Sequence, residues 1–187
     1  MLTRDAPIDP VTNHDADPEA VARSICLSQL DRAPRTRGQL VEVLRKRLVP
    51  DDAAERVLDR LAEVGLIDDE AFAFAWVESR HRSKGISAFA LARELRSRGV
   101  ADDTVASAVG QLEAEIELDT ARELARRRQR TMGSLDTAAQ QRRLVALLGR
   151  KGYSAGVAYL VVRDVLQAAQ LGDRDELVPG DDEATGG

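Results

Sequence analysis

Apolar residues recur at intervals of three and four along most of this chain. Leu40, Val43, Leu44 and Leu48 follow Thr36 and Gln39, and Val57, Leu58, Leu61 and Val64 follow Asp52 and Glu55. Each set predicts an amphipathic helix opened by a capping box, in which two side chains three residues apart satisfy amides that the first helical turn leaves unpaired. Pro50 ends the first of these helices and Gly65 the second, so the pair reads as a helical hairpin. The same period continues and predicts helices over about 20–33, 37–49, 52–64, 69–84, 87–98, 102–113, 117–131, 136–150 and 155–169.

The hairpin itself recurs. "LRKRLVPDDAAERVL" (Leu44–Leu58), "LRSRGVADDTVASAV" (Leu95–Val109) and "LGRKGYSAGVAYLVV" (Leu148–Val162) align without gaps and start about fifty residues apart. Each has a leucine, a basic group, a turn and a new apolar helix. A period of this size marks a repeat array whose units each lack a full core and stack on their neighbours. The predicted architecture is all-α: three tandem three-helix repeats at residues 21–67, 68–114 and 115–170, forming an elongated, curved array. Residues 1–20 and 171–187 mix acids with Pro, Thr and Gly and show no period, so both are expected to be disordered acidic tails.

Composition agrees with a helical chain: of 187 residues, 43% are hydrophobic, 32% charged and only 3% aromatic. The net charge of −5 hides a division. The first tail carries −4 and the second −5, which leaves +4 on residues 21–170. Residues 118–153 are the most basic, with Arg122, Arg126, Arg127, Arg128, Arg130, Arg142, Arg143, Arg150 and Lys151 against Asp119, Glu123 and Asp136, a net of +6. The second repeat adds Arg80, Arg82 and Lys84, then Arg93, Arg96 and Arg98. Such a surface suits DNA phosphates or an acidic protein groove, because a guanidinium makes paired contacts to either.

Catalytic chemistry has no foothold in this sequence. His14 and His81 are far apart, the lone Cys26 sits among apolar neighbours as a small buried hydrophobe, and no zinc spacing, phosphate loop or nucleophile elbow is present. No cofactor and no metal are expected. The one cysteine cannot form an internal disulfide, and the apolar runs "AFAFAWV" and "VAYLVV" fall far short of a membrane span, so a cytoplasmic protein is expected.

"GLIDDEAFAFAW" (Gly65–Trp76) holds half of the aromatic residues, Phe72, Phe74 and Trp76. Gly65 is expected to close one helix in the left-handed conformation and Asp68 or Asp69 to cap the next. Phe72, Ala75 and Trp76 are then expected to pack that helix onto the preceding hairpin. Base stacking by these aromatics is the alternative.

With the following residues, this stretch resembles the conserved centre of the RecX regulators of bacterial RecA recombinase. The matching positions are Gly65, Asp68, Asp69, Phe72, Ala73, Arg80, Gly85, Glu94, Leu95 and Gly99, and Arg35, Arg37 and Leu40 fit the family's first repeat. The similarity extends more weakly over residues 22–168 and leaves out both tails. The resemblance implies a non-enzymatic modulator of recombination, DNA repair and the SOS response. Such a modulator binds the RecA nucleoprotein filament in its groove and limits ATP hydrolysis, strand exchange and co-protease activity. Expected partners are the RecA filament and, weakly, single- and double-stranded DNA, with the protein a monomer. Two other readings compete: a helix-turn-helix regulator acting at operators, and a helical scaffold with no nucleic-acid link.

Overall fold

A computed structural model describes residues 17–175 of the chain, and among them every regular element is a helix. In order these are α1 (Pro18–Leu30), α2 (Arg37–Lys46), α3 (Asp51–Glu63), α4 (Asp69–Lys84), α5 (Ala88–Arg96), α6 (Asp102–Gly110), α7 (Ala114–Gln129), α8 (Thr137–Arg150) and α9 (Ala155–Asp175). Most of both expected tails lies outside the described residues. The described parts correct the expectation: α1 already begins at Pro18, because Asp17 caps it by accepting from the Glu19 amide, and α9 continues to Asp175.

The helices group by threes, and each group encloses its own cluster of buried side chains. Leu40, Leu44 and Leu58 centre the first, Leu91, Leu95 and Val105 the second, and Leu144, Leu148 and Val161 the third. The expectation that single repeats lack a core is therefore corrected. Three helices can surround a buried cluster that two cannot. The chain divides into two compact units, one ending at Asp69 and holding α1 to α3, the other beginning at Glu70 and holding the second and third groups.

One turn is built three times. The carbonyls of the buried Leu44, Leu95 and Leu148 accept from the amides of Val49, Val100 and Tyr153, five residues on, at 3.2 Å each. This closure requires a left-handed residue just before the donor. Gly99 (φ 78°) and Gly152 (φ 90°) meet the requirement, whereas in the first repeat Leu48 adopts φ 59°. Leu48 also stops α2 at Lys46, short of the predicted end, and Pro50 caps α3 instead of ending α2. Gly65 (φ 71°) closes α3 in the same way, with the Leu66 amide on the Leu61 carbonyl at 2.9 Å.

Of the two predicted capping boxes, Thr36 and Gln39 form theirs. Asp52 and Glu55 do not: α3 opens at Asp51 without a side-chain cap, and these acids turn to Arg56 and Arg37. The first amide of α2 is capped from a distance. Arg37 N–H donates to Asp69 Oδ1 at 2.8 Å, so Asp69 serves α2 as well as opening α4, and burial raises its carboxyl pKa. In the second unit Glu117 Oε1 likewise accepts the Ala88 amide that opens α5, at 2.8 Å.

The second and third repeats interlock through the turn between α4 and α5. Ser87 N–H donates to the Lys151 carbonyl at 3.0 Å, the Tyr153 hydroxyl to the Gly85 carbonyl at 3.2 Å, and the Lys151 ammonium to the Lys84 carbonyl at 2.6 Å. His81 is buried between the Ile86 carbonyl (3.0 Å) and the Thr120 hydroxyl (2.9 Å). Two glycines allow this approach. A Cβ on Gly85 would lie 2.5 Å from Leu124 Cδ1, and one on Gly152 would lie 2.4 Å from Ala90 Cβ.

The aromatic cluster packs differently from its expectation. The buried residues of α4 are Ala73, Val77 and His81, while Ala75 is exposed and Phe72, Phe74 and Trp76 are half-buried. Phe72 stacks on Trp76 with ring centres 5.6 Å apart. The indole N–H donates to Glu94 Oε2 at 2.9 Å, and the guanidiniums of Arg80 and Arg98 lie 4.3 and 3.8 Å from the indole centre. The tryptophan thus ties α4 to α5 through charge and stacking instead of filling a core.

Stability should follow these contacts. Gly152→Ala loses at least about 2 kcal/mol, from left-handed strain together with the clash against Ala90, whereas Leu48→Gly gains about 0.5–1 kcal/mol because its side chain packs against little. Urea midpoints of the two variants check both signs. Arg98→Ala costs about 0.5–1 kcal/mol and moves the emission of the single tryptophan to longer wavelength; unchanged emission would show that Arg98 does not cover the ring.

Candidate nucleic-acid and protein interface

The basic residues singled out in the sequence divide into three sets by what they touch. The first is engaged in structure. Arg80 and Arg98 are held against Trp76, and Arg80 Nε also lies 3.6 Å from Glu94 Oε2. Lys151 is spent on the Lys84 carbonyl. These groups set the relation of α4 to α5 and of the α8 end to the α4 end, and they have little freedom to follow a partner.

The second set is paired but exposed. Arg82 bonds Glu78 one turn back on α4, Arg96 bonds Asp102 at 2.6 Å, Arg122 bonds Asp119 at 2.8 Å, and Arg130 lies 3.7 Å from Glu123. Arg128 reaches only the Thr131 hydroxyl, at 3.4 Å. An exposed pair of this kind contributes little to stability, so each arginine can exchange its partner carboxylate for another anion. The local field is nevertheless close to neutral while the carboxylate stays.

The third set is bare. Arg126 and Arg127 in the last turns of α7, and Arg142, Arg143 and Arg150 on α8, are exposed and make no ion pair among the described residues. Cationic residues at the C-terminal end of α7 also complement its helix dipole, which is the structural reason for part of this cluster. Five guanidiniums with free forks within one three-helix repeat can each accept a phosphate or a carboxylate without first breaking an internal contact.

Two clefts hold some of these cations, and one of them joins two repeats. Arg82, Lys84, Arg127 and Lys151 line one of about 640 Å³ in the second unit, which also contains Asp119 and Glu123. Sequence separation conceals this meeting, since α4 supplies two of the cations, α7 one and the residue that follows α8 one. A second, of about 410 Å³, lies between α8 and α9 with Arg142 and Tyr159 on its walls. Tyr159 lies outside the basic run, so the charge pattern along the chain does not point to it.

No group of histidine, cysteine and carboxylate side chains among the described residues could hold a metal ion. Cys26 is buried in the first core and burial raises its thiol pKa, away from the reactive thiolate. No described helix is long and apolar enough to cross a membrane. Of the structural motif residues, Leu95 is buried in the second core, and Gly65, Gly85 and Gly99 all have positive φ. Asp68 stands just before α4.

Comparison with known proteins gives this arrangement a family. Models described as the first, second and third three-helix domains of RecX match residues 22–61, 68–109 and 115–162. The regulatory protein RecX of Thermobifida fusca is 53% identical over 149 residues, covering 80% of each chain. That of Streptomyces coelicolor is 54% identical over 151 residues, covering 81% of this chain and 80% of the relative. A crystal structure of RecX from Lactobacillus salivarius shares the fold, with a TM-score of 0.69 at 19% identity over 83% of this chain and 99% of that one. Another crystal structure, of a regulatory protein RecX, gives 0.67 at 26% identity over 80% and 73%. The chain belongs to the RecX family.

Proposed function

We propose that this protein binds the nucleoprotein filament of RecA recombinase and restrains its ATP hydrolysis, strand exchange and co-protease activity. It acts in the cytoplasm as a monomer and without catalysis of its own, and so modulates recombination, DNA repair and the SOS response. Kinship with proteins named regulatory protein RecX supports the partner. The observation that carries the mode of binding is the set of five arginines on α7 and α8 that are exposed and hold no ion pair among the described residues. A filament offers a regular row of anions, both phosphates and surface carboxylates. Several guanidiniums on one rigid repeat can engage that row at once, so individually weak contacts add.

The reading is tested by titrating the protein into RecA turning over ATP on single-stranded DNA, with binding to free DNA followed at the same salt. Inhibition is expected at concentrations well below those that coat free DNA. Arg126→Glu, Arg127→Glu and Arg143→Glu combined should leave helical content unchanged, since none of the three holds an internal ion pair. The same variant should raise the half-inhibiting concentration at least about tenfold, on the order of 1.4 kcal/mol, and flatten its salt dependence. A triple variant as inhibitory as the parent would place the filament-binding face elsewhere.

A further inference from the structure

The cleft between α8 and α9 differs in kind from three other clefts of the molecule. Those three include carboxylates: Glu78 in one, Glu19, Asp59 and Glu63 in another, Asp119 and Glu123 in the third. The α8–α9 cleft is lined by Ala138, Gln141, Arg142, Val145, Ala146 and Tyr159 and contains none. Its floor is apolar, its single charge is a bare guanidinium, and its polar side chain, Gln141, both donates and accepts.

Tyr159 is the unusual member. In a chain with so few aromatic residues, this one is 54% exposed. A side chain on a helix leans back over the residues three and four positions earlier. Here those are Gly156 and Ala155. No bulky neighbour on its own helix covers that side of the ring. Residues three or four apart on a helix are neighbours, so Arg143 and Arg150, both exposed and unpaired, flank Ala146 of the cleft on α8. An exposed aromatic ring, an amide able to read a base edge and a row of cations with no acid among the described lining residues are together what a single nucleic-acid strand requires.

We propose that the cleft between α8 and α9 takes an unpaired base of single-stranded DNA, stacked on Tyr159, with the flanking phosphates on Arg142 and Arg143. A base in duplex DNA has its faces covered by its neighbours, so the site selects single strands. The inference deepens the filament reading, since a recombinase filament is assembled on a single strand, and rests on it for its setting, but its test needs no recombinase. The cleft is also of a size and composition that a protein side chain could enter; the exposed ring of Tyr159 beside an amide favours a stacked base.

The test measures binding of the full chain to a fluorescent oligothymidylate and to an abasic strand of the same length, by anisotropy at fixed salt. The parent should prefer the oligothymidylate, because the abasic strand keeps the phosphates and lacks the bases. Tyr159→Ala should weaken oligothymidylate binding about tenfold and leave the abasic strand unchanged, while Tyr159→Phe retains the ring and the affinity. Arg142→Ala should lower the salt slope by about 0.7. Photocrosslinking of a strand carrying 5-iodouracil should label the peptide containing Tyr159. Equal binding of the two strands by the parent, or unchanged oligothymidylate affinity in Tyr159→Ala, overturns the proposal. So does a variant impaired in RecA inhibition but not in strand binding, which makes the cleft a protein-docking site. In each of these cases the ATPase titration with the parent still decides the filament reading independently.

Discussion

A main-chain carbonyl on a buried leucine sets the direction of the chain at each repeat. Leu44, Leu95 and Leu148 are wholly enclosed, so their carbonyls are fixed, and the amide five residues later can reach them only if the residue before it turns left-handed. That closure satisfies carbonyls a helix end would otherwise leave unpaired, and it fixes the angle at which the next helix departs. It also leaves a basic residue just ahead of the left-handed position each time: Arg47, Arg98 and Lys151. Because this residue ends a helix next to its free carbonyls, a cation there is favourable before it finds any other partner. The repeats then diverge. Arg98 turns to the Trp76 ring and Lys151 to the Lys84 carbonyl, while Arg47 stays exposed.

From this turn follows the interlock of the second and third repeats. Gly152 is at once the left-handed residue of the α8 end and the surface on which Ala90 and Ser87 rest, so turn geometry and docking are one constraint. Tyr153, the next residue, is the donor that closes the turn and also sends its hydroxyl to Gly85. Burial pushes that phenol well above its ordinary range, with Glu117 adding to the effect, so it remains a protonated donor. The backbone that carries the arginines of α7 and α8 is therefore held against α4 before any partner arrives. Binding then has to order side chains only, which lowers its entropic cost.

Much of this was legible in the sequence, and the misses share a physical cause. Apolar period, the Thr36–Gln39 box, the left-handed Gly65 and the threefold turn all depend on residues within one or two helical turns of each other, which is the range that pattern reading covers. Leu48 escaped because residue type argues against a left-handed leucine, and only alignment with Gly99 and Gly152 points to it. Asp69 on the Arg37 amide and Glu117 on the Ala88 amide span 32 and 29 residues, and no local signature announces such a cap. The Asp52–Glu55 signature misled because both acids had better partners in Arg56 and Arg37. The run around Arg126 was visible, but which of its members are free was not. Tyr159 was overlooked because its cleft is made by two helices, and nothing in its own neighbourhood along the chain is basic except Arg163.

The division into paired and bare arginines resolves the puzzle of an acidic protein with a basic face. Net charge governs long-range attraction, and at −5 the whole chain gains none for a polyanion. At physiological salt, however, exposed charges are screened beyond about 8 Å, so what an approaching phosphate senses is the nearest few side chains. Near Asp119 or Glu123 it meets a cation already neutralised and a carboxylate that repels it. Near Arg142 and Arg143 it meets guanidiniums with no such neighbour paired to them among the described residues. The acids on α7 therefore restrict the basic run as much as they stabilise it, confining strong anion contacts to a part of the repeat. A surface of this kind holds a partner that presents anions at matching positions and releases one that does not.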